Sequence, residues 1–347
     1  MRKIRVAIWG FGAMGKGIAE MLVLKKGIEV VGVCDLNKEL IGTDFRKSLS
    51  VKSEHNAVVI TDNIEEVLSI QNLDLVLIAT DSYTKNSYPK ICKVVEKGIN
   101  VISTAEEMAY PYANNPKLSD EMNTLAKENG VTVLGTGINP GFIMDYLVVA
   151  LTGVMENIKS IKVNRVNSLS PFGPTVMEEQ GVGLEQEEYK SKMANNSLAG
   201  HVGFKESVYM IADAIGVKID HFEQNMEPII SSVYRESKYA KVQPGQLAGI
   251  NMTAFGEIEG EKFIEMKHPQ QIEPEIEGTS TGDYINIEGK PVVNMSIQPE
   301  IDGGIGTISM CVNMIPHVLN ASPGLKTMID LPVPRAILGD MRNLLDK

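Results

Sequence analysis

Apolar runs of strand length alternate with amphipathic, helix-length segments through the first 140 residues. Six runs are predicted to be strands: KIRVAIWG, EVVGVCD, AVVIT, LDLVLIAT, NVIST and VTVLGTG. Helices are predicted near 14–26, in NIEEVLS, near 84–97 and near 117–129. The strand runs are continuously apolar, which is typical of strands covered on both faces. The pattern therefore predicts an α/β fold here, with a Rossmann doubly wound parallel sheet.

The pattern changes after residue 140. A helix near 141–155 leads to the strand-like stretch IKSIKVNRVNSL, and further extended runs follow with few crossover helices. Such a succession implies a mostly antiparallel sheet. We therefore expect an NAD(P)-binding Rossmann domain over 1–140 and an α+β domain for substrate binding and dimerisation over 141–330. Residues 331–347 are predicted to form a C-terminal helix that packs back on the first domain.

A G-x-G-x-x-G motif follows the first predicted strand and opens a helix. Its members are Gly10, Phe11, Gly12, Ala13, Met14 and Gly15. Gly10 permits a tight turn, Gly12 lets the backbone approach a pyrophosphate, and Gly15 lets helix and strand pack closely. The pyrophosphate binds at the helix N-terminus. Together with Asp35, about 20 residues further on, the motif predicts dinucleotide binding. The alternative is that the glycines serve only a turn.

Asp35 ends the second predicted strand and can accept hydrogen bonds from both ribose hydroxyls. Its charge repels a 2′-phosphate, so NAD is the favoured cofactor. NADP stays possible because Lys38 and Arg46 lie in the following loop. Ligands of doubly wound sheets bind beyond the carboxyl ends of the strands. The other strand ends at that edge supply further cofactor candidates: Thr80, Ser103 and Thr104.

Five segments spread over nearly the whole chain resemble one known group. They are IWGFGAMG, STAEEMAYP, GTGINPGFIMD, AGHVGFKES and VNMIPHVLNASPGLKTM. They are similar to the 2,4-diaminopentanoate dehydrogenases and native amine dehydrogenases, within the dihydrodipicolinate-reductase-like dehydrogenases. The paired-histidine and lysine motif of tetrahydrodipicolinate reductases does not occur, since the corresponding stretch is NRVNSLSPFGPTV. The resemblance implies a homodimer that oxidises the C4 amine of 2,4-diaminopentanoate with NAD(P), giving ammonia and 2-amino-4-oxopentanoate in amino-acid degradation.

Glu106 and Glu107 follow the fifth predicted strand, at the same edge of the sheet. Oxidation of an amine requires its neutral form, and an alkyl ammonium has a pKa near ~10, like lysine. A carboxylate can take that proton, stabilise the iminium that follows and activate the attacking water. Both acids are therefore catalytic candidates, although alternation along an extended segment would point only one at the cleft. The alternative is two solvated acids that open a loop.

Candidate substrate-binding residues lie in and after the sixth strand. Asn139 and Phe142 occupy the Asn-Pro-Gly-Phe turn, and His201 precedes a predicted helix. Arg165 or the hydroxyls of 279–281 could receive the substrate carboxylate. The alternatives are a tight turn, a packing histidine and a solvent-facing arginine.

The composition narrows the class of partner. A net charge of -11 argues against nucleic acid and against an anionic membrane surface, and favours a small cationic amine. The three cysteines are far apart and the histidines show no metal-ligand spacing, so neither disulfides nor a metal site is expected. Without a run of about 18 to 20 apolar residues, the chain is expected to be cytoplasmic. Rival functions are a reductase of another imine or amino-acid-derived substrate, and a non-catalytic NAD-binding sensor.

Overall fold

The computed structural model describes residues 2–195, 197–198 and 200–346. The chain divides into two compact units: unit 1 is Met1–Phe142 with Gly303–Lys347, and unit 2 is Ile143–Asp302. None of the helices in these described residues is long and apolar enough to cross a membrane.

The N-terminal part of unit 1 alternates strand and helix, as predicted. Its elements are β1 (Ile4–Trp9), α1 (Ala13–Val23), β2 (Ile28–Cys34), α2 (Ile64–Leu68), β3 (Leu75–Ile78), α3 (Thr84–Val95), β4 (Asn100–Ser103), α4 (Pro116–Glu128) and β5 (Thr132–Gly135). All strand pairs in this sheet are parallel. The parallel order places the carboxyl ends of the strands at one edge.

The strands of unit 1 are apolar because helices cover them. Val76, Val101 and Val133, on three neighbouring strands, are fully buried and share one core cluster with Ile91 of α3 and Met122 of α4. Burial of side chains of this size contributes roughly 1.5–3 kcal/mol each. The short helix α2 starts where the Asn63 side chain accepts the backbone N–H of Glu65.

Unit 2 is built around a second six-stranded sheet. Its elements are α5 (Tyr146–Thr152), β6 (Asn157–Ser168), α6 (Pro174–Glu179), α7 (Gln186–Ala194), α8 (Phe204–Ile215), β7 (His221–Ile230), β8 (Arg235–Glu236), β9 (Lys241–Val242), β10 (Leu247–Ile258), β11 (Glu261–Gln271), β12 (Gly282–Lys290) and β13 (Val293–Ile297). The sheet order is β13-β12-β6-β11-β10-β7, and only β6 and β11 pair in parallel. The predicted mostly antiparallel sheet is confirmed.

Helix α8 packs on one face of this sheet. At Gly256 of β10 an added Cβ would lie 2.8 Å from the Val208 side chain of α8, so only a residue without a side chain fits that contact. The inward positions of β6 and β11, including Ile161, Ile264 and Met266, are fully buried. The alternation of buried and exposed residues follows the period of two of a one-sided sheet.

The chain then returns to unit 1 through α9 (Gly303–Asn313), α10 (Ile315–Asn320) and β14 (Gly324–Lys326). Residues 303–330, predicted from the sequence to belong to the second domain, lie in unit 1 instead. β14 pairs in parallel with β5 and completes the order β14-β5-β4-β3-β1-β2, while α9 packs against α1.

Two further predicted elements differ from the structure. The run 57–61 was predicted as a strand but forms only isolated bridges, such as Cys34 with Thr61 beside β2, and the sixth strand is β14 at the opposite edge. The predicted C-terminal helix is a single 3₁₀ turn, Met341–Leu344, capped by the carboxylate of Asp340. That segment belongs to unit 1, where the Met341 N–H donates to the carbonyl of Lys26.

Candidate active site

The glycine-rich turn lies at the carboxyl end of β1, and its glycines have different surroundings. Gly10 has φ +95°, and an added Cβ would lie 2.5 Å from the carbonyl oxygen of Ala79. At Gly15 a Cβ would lie 1.8 Å from the carbonyl oxygen of Gly10. A Cβ added at Gly12 would meet no other part of the described structure within 4 Å, and the residue is exposed, as is Ala13 after it. Gly10 and Gly15 are therefore fixed by packing inside the protein, whereas Gly12 leaves open space for a ligand.

Asp35 is linked directly to this turn. Its carboxylate accepts the backbone N–H of Phe11, and its other oxygen accepts the N–H of Asn37 at 2.7 Å. The Phe11 side chain is buried edge-on against Phe45, with 6.4 Å between ring centroids. Met14, in the first turn of α1, is partly exposed. The structure thus brings Asp35 and the motif together, as the fingerprint predicts.

The two basic residues that could accept a 2′-phosphate differ in their surroundings. Arg46 donates to the Asp44 carboxylate through Nε and Nη2 and to the carbonyl of His55 through Nη1. Its guanidinium is therefore already engaged within unit 1. Lys38 is exposed.

The ends of β3 and β4 place the other cofactor candidates at the same edge. The Thr80 hydroxyl lies in a cluster with Asp81 and Lys90, whose Nζ is 2.8 Å from Thr80 Oγ1. Ser103 is fully buried and its hydroxyl accepts the N–H of Ala105. Thr104 is partly exposed, so it is better placed than Ser103 to contact a ligand.

The two glutamates begin a 3₁₀ helix, Glu106–Ala109, rather than continuing an extended segment. The prediction that Glu106 and Glu107 lie on an extended segment, where alternation points their side chains to opposite sides, is therefore wrong. Successive side chains of a 3₁₀ helix still diverge, by about a third of a turn. Glu107 accepts the N–H of Thr84 at 2.8 Å and the side-chain amide of Asn115 at 3.1 Å. Its carboxylate thereby caps the start of α3, while Glu106 is half-buried beside it.

The loop after β5 carries the predicted residue Asn139. Both polar atoms of its side chain are buried, and neither has a hydrogen-bond partner within residues 2–195, 197–198 and 200–346. Thr136 Oγ1, three residues earlier, is in the same situation. Phe142, also predicted, ends unit 1 and is partly exposed.

Unit 2 brings the partly exposed His201 and the buried Arg165 into one cluster with His268. The ring of His201 packs edge-on against His268, with centroids 4.8 Å apart, and its Nε2 is buried without a partner among the described residues. Burial and the charge of Arg165 lower the pKa of His201 to about 3. His268 Nδ1 donates to the carbonyl of Arg165 at 2.7 Å. Both histidines are therefore neutral at pH 7.

Arg165 is buried rather than solvent-facing. Its Nη1 donates to Asp283 Oδ1 at 2.5 Å, and both side chains are 2% exposed. Its Nη2 donates to the carbonyl of Ile301, and the Ile301 N–H donates to Asp283 Oδ2. The Arg165–Asp283 pair thus binds both backbone polar groups of Ile301. A substrate contact of Arg165 stays a prediction.

Sequence reasoning missed His268 and Asp283. A signal existed for the first of them, because His268 continues the buried positions Ile264 and Met266 of β11 at a spacing of two. For Asp283, nothing in the sequence identifies its partner, since the pairing with Arg165 depends on the register between β12 and β6. No cluster of three or more potential metal ligands occurs in the described part of the chain.

Comparison with known proteins agrees with this architecture. Residues 4–136 match the oxidoreductase family with an NAD-binding Rossmann fold, and residues 142–347 match the 2,4-diaminopentanoate dehydrogenase C-terminal domain. The chain is 55% identical to the 2,4-diaminopentanoate dehydrogenase of Acetoanaerobium sticklandii, over 100% of this chain and 98% of that protein. It is 24% identical to an amine dehydrogenase of Streptomyces virginiae, over 96% and 98%.

A solved structure extends the similarity to three dimensions. The amine dehydrogenase of Mycobacterium smegmatis matches with a TM-score of 0.86 and 26% identity, over 97% of this chain and 98% of that one. The fold class predicted from the sequence is confirmed. The chain is thus a dehydrogenase that uses NAD, and it belongs to the 2,4-diaminopentanoate dehydrogenase family.

Proposed function

We propose that this chain oxidises the C4 amine of 2,4-diaminopentanoate. The balanced reaction converts the C4 ammonium, NAD⁺ and water into 2-amino-4-oxopentanoate, NADH, ammonium and one proton. The observation that carries the proposal is the 55% identity to a 2,4-diaminopentanoate dehydrogenase over the whole chain. The acidic net charge of -11 also suits a substrate with two ammonium groups.

Within this proposal Glu106 is the catalytic base. The substrate amine binds as an ammonium and has to lose a proton before its C–H bond can break. The Glu106 carboxylate takes that proton, then stabilises the positively charged iminium and activates the water that attacks C4. The adjacent Glu107 is assigned a positioning role, because its carboxylate is bound to Thr84 and Asn115.

The residues at the edge of the unit 1 sheet fit a dinucleotide, because Gly12 borders open space and the polar atoms of Asn139 have no partner among the described residues. When bound there, NAD would supply the hydride acceptor. The turn Gly10–Gly15 would hold its pyrophosphate and Asp35 its ribose. We propose a preference for NAD over NADP, because Arg46 is already bound to Asp44 and His55.

Two of the predicted substrate-binding residues, His201 and Arg165, lie in unit 2. Neutral His201 has a buried Nε2 that lacks a partner in the described residues, and such an atom costs about 1–3 kcal/mol unless a ligand bonds to it. Arg165 lies in the same cluster and lowers the pKa of that ring through its charge. We assign the hydrogen bond to the substrate carboxylate to His201, because the guanidinium of Arg165 is already bound to Asp283 and to the carbonyl of Ile301.

The proposal extends to a cytoplasmic homodimer. The cysteines Cys34, Cys92 and Cys311 are free, which suits a reducing compartment. The dimer is supported by the family resemblance, and sedimentation velocity would test it.

The deciding experiment mixes the purified protein with NAD and a panel of amines, and follows the absorbance of reduced nicotinamide. The panel contains 2,4-diaminopentanoate, 2-aminopentane, which lacks the amino-acid end, and norvaline, which lacks the C4 amine. We expect the diamine to react fastest, with ammonia and the C4 ketone formed in equal amounts. Faster turnover of another amine would favour the rival substrate class. Tight NAD binding with no turnover of any amine would favour the sensor.

A further inference from the structure

The side-chain amide of Asn139, in the loop 136–141, has no hydrogen-bond partner among the described residues. Asn139 Nδ2 is a donor and Oδ1 an acceptor, and both are buried and unpartnered there. A buried polar atom without a partner costs about 1–3 kcal/mol, so two on one side chain are a large cost for a loop to carry. A protein keeps such an unpaired buried group where a bound ligand supplies the missing hydrogen bonds.

Helix α9 holds this loop and the dinucleotide helix in one frame. The Ile138 N–H donates to Thr307 Oγ1 at 3.2 Å, which fixes the residue before Asn139. One residue later on α9, the Ile308 side chain packs on α1, where a Cβ added at Gly17 would lie 2.2 Å from it. The position of the Asn139 amide is therefore coupled to α1, the helix that follows the pyrophosphate-binding turn.

The loop also lies on the correct side of the turn for the nicotinamide half of the cofactor. In the sheet order β14-β5-β4-β3-β1-β2, Asp35 follows β2 on one side of β1. The loop follows β5, three strand spacings away on the other side, or about 14 Å. Because the pyrophosphate binds after β1 and the adenosine ribose at Asp35, the remaining half extends toward β5.

We infer that Asn139 binds the carboxamide of the nicotinamide ring and thereby sets the orientation of that ring. A primary amide has one carbonyl and one NH₂, so two primary amides satisfy each other's donor and acceptor. A lone ammonium offers only donors and a lone carboxylate only acceptors, so neither would satisfy both ends of Asn139. This assignment replaces the expectation that Asn139 binds substrate. It rests on NAD binding and is independent of which amine is oxidised.

The amino-acid end of the substrate is the rival ligand, because it carries an ammonium and a carboxylate together. Two observations favour the cofactor: the loop belongs to the unit that carries the fingerprint, and α9 ties it to α1. The test therefore uses binary complexes without any amine.

The experiment compares NAD with 3-acetylpyridine adenine dinucleotide, in which a methyl group replaces the carboxamide NH₂. Binding to the wild type, Asn139→Ala and the matched control Asn86→Ala, an exposed asparagine of α3, is measured by titration calorimetry. We expect Asn139→Ala to weaken NAD about tenfold and to reduce the preference for NAD over the analogue about fivefold. The control keeps the wild-type affinities and preference.

A second variant separates a lost contact from a damaged fold. Asn139→Asp keeps an acceptor for the NH₂ but has no donor for the carbonyl, so it should weaken NAD while retaining the preference over the analogue. Unchanged NAD binding by Asn139→Ala, with an increased KM for the amine, would overturn the inference in favour of the substrate. Equal weakening of both dinucleotides would overturn it in favour of a structural role. Either result leaves the proposed reaction intact, because the amine panel tests that separately.

Discussion

Single substitutions can distinguish the roles of Gly12 and Gly15, because Gly12 faces open space and Gly15 packs against the carbonyl of Gly10. Gly15→Ala places a methyl group 1.8 Å from the carbonyl oxygen of Gly10, so backbone has to move. Overpacking of this kind costs typically about 1–3 kcal/mol, which corresponds to roughly 2–12 °C in melting temperature for a unit of this size. The Gly12→Ala methyl group meets no other part of the described structure within 4 Å, and Gly12 has φ -74°, so the free energy of unfolding should change by less than about 1 kcal/mol.

The affinity for NAD should respond most clearly to the substitution at Gly12. The Gly12→Ala methyl group occupies the space through which backbone approaches the pyrophosphate, so we expect at least a tenfold increase in Kd, or about 1.4 kcal/mol. Thermal melting followed by circular dichroism measures the stability, and titration calorimetry measures the Kd. A Gly12→Ala variant that melts and binds NAD like the wild type would refute the pyrophosphate site. A Gly15→Ala variant of unchanged stability would refute the packing.

Three further predictions concern the buried polar groups. Arg165→Met strands the Asp283 carboxylate and should destabilise unit 2 by about 3–5 kcal/mol in urea unfolding, whereas adding Asp283→Leu should recover most of the loss. Burial and the charges of neighbouring groups lower the pKa of His268 below its usual 6.5. The unfolded state therefore binds an extra proton at low pH, and the stability of the fold decreases as pH falls below about 6.5. His268→Asn should reduce that slope by up to about 1.4 kcal/mol per pH unit, and an unchanged slope between pH 4 and 7 would contradict the assignment. Glu107→Gln weakens the acceptor at the Thr84 N–H and should lower the melting temperature by about 2–4 °C, measured by calorimetry, with no change if the cap is unimportant.

Much of unit 1 follows from local pattern. The continuous apolar runs of β1, β3, β4 and β5 and the helical spacing between them predicted the parallel sheet, because strands covered on both faces have no polar side. The run 57–61 has the same composition and still forms only isolated bridges. The edge of the sheet is taken by β14, whose three residues are too short to be recognised from periodicity. The two segments lie at opposite edges, because Thr61 bridges to Cys34 of β2 whereas β14 pairs with β5. Long-range pairing, which the local pattern does not contain, decides which of them joins the sheet.

The site divides in the same way. The Gly10–Gly15 motif and Asp35 were predictable because a short motif on adjacent strands fixes its own geometry. The distinction between Glu106 and Glu107 was not, because it depends on Asn115 and on the start of α3, which reach Glu107 only in the folded chain. The pairing of Arg165 likewise depends on strand register.

In the proposed mechanism, Glu106 is the base of an NAD-dependent amine oxidation. The most direct test measures kcat with 2,4-diaminopentanoate and NAD for the wild type, Glu106→Gln and the matched control Glu107→Gln, together with the Kd for NAD of each. We expect Glu106→Gln to lower kcat at least about 100-fold at unchanged Kd, and Glu107→Gln to stay within about tenfold of the wild type. Turnover by Glu106→Gln at the wild-type rate would contradict this mechanism.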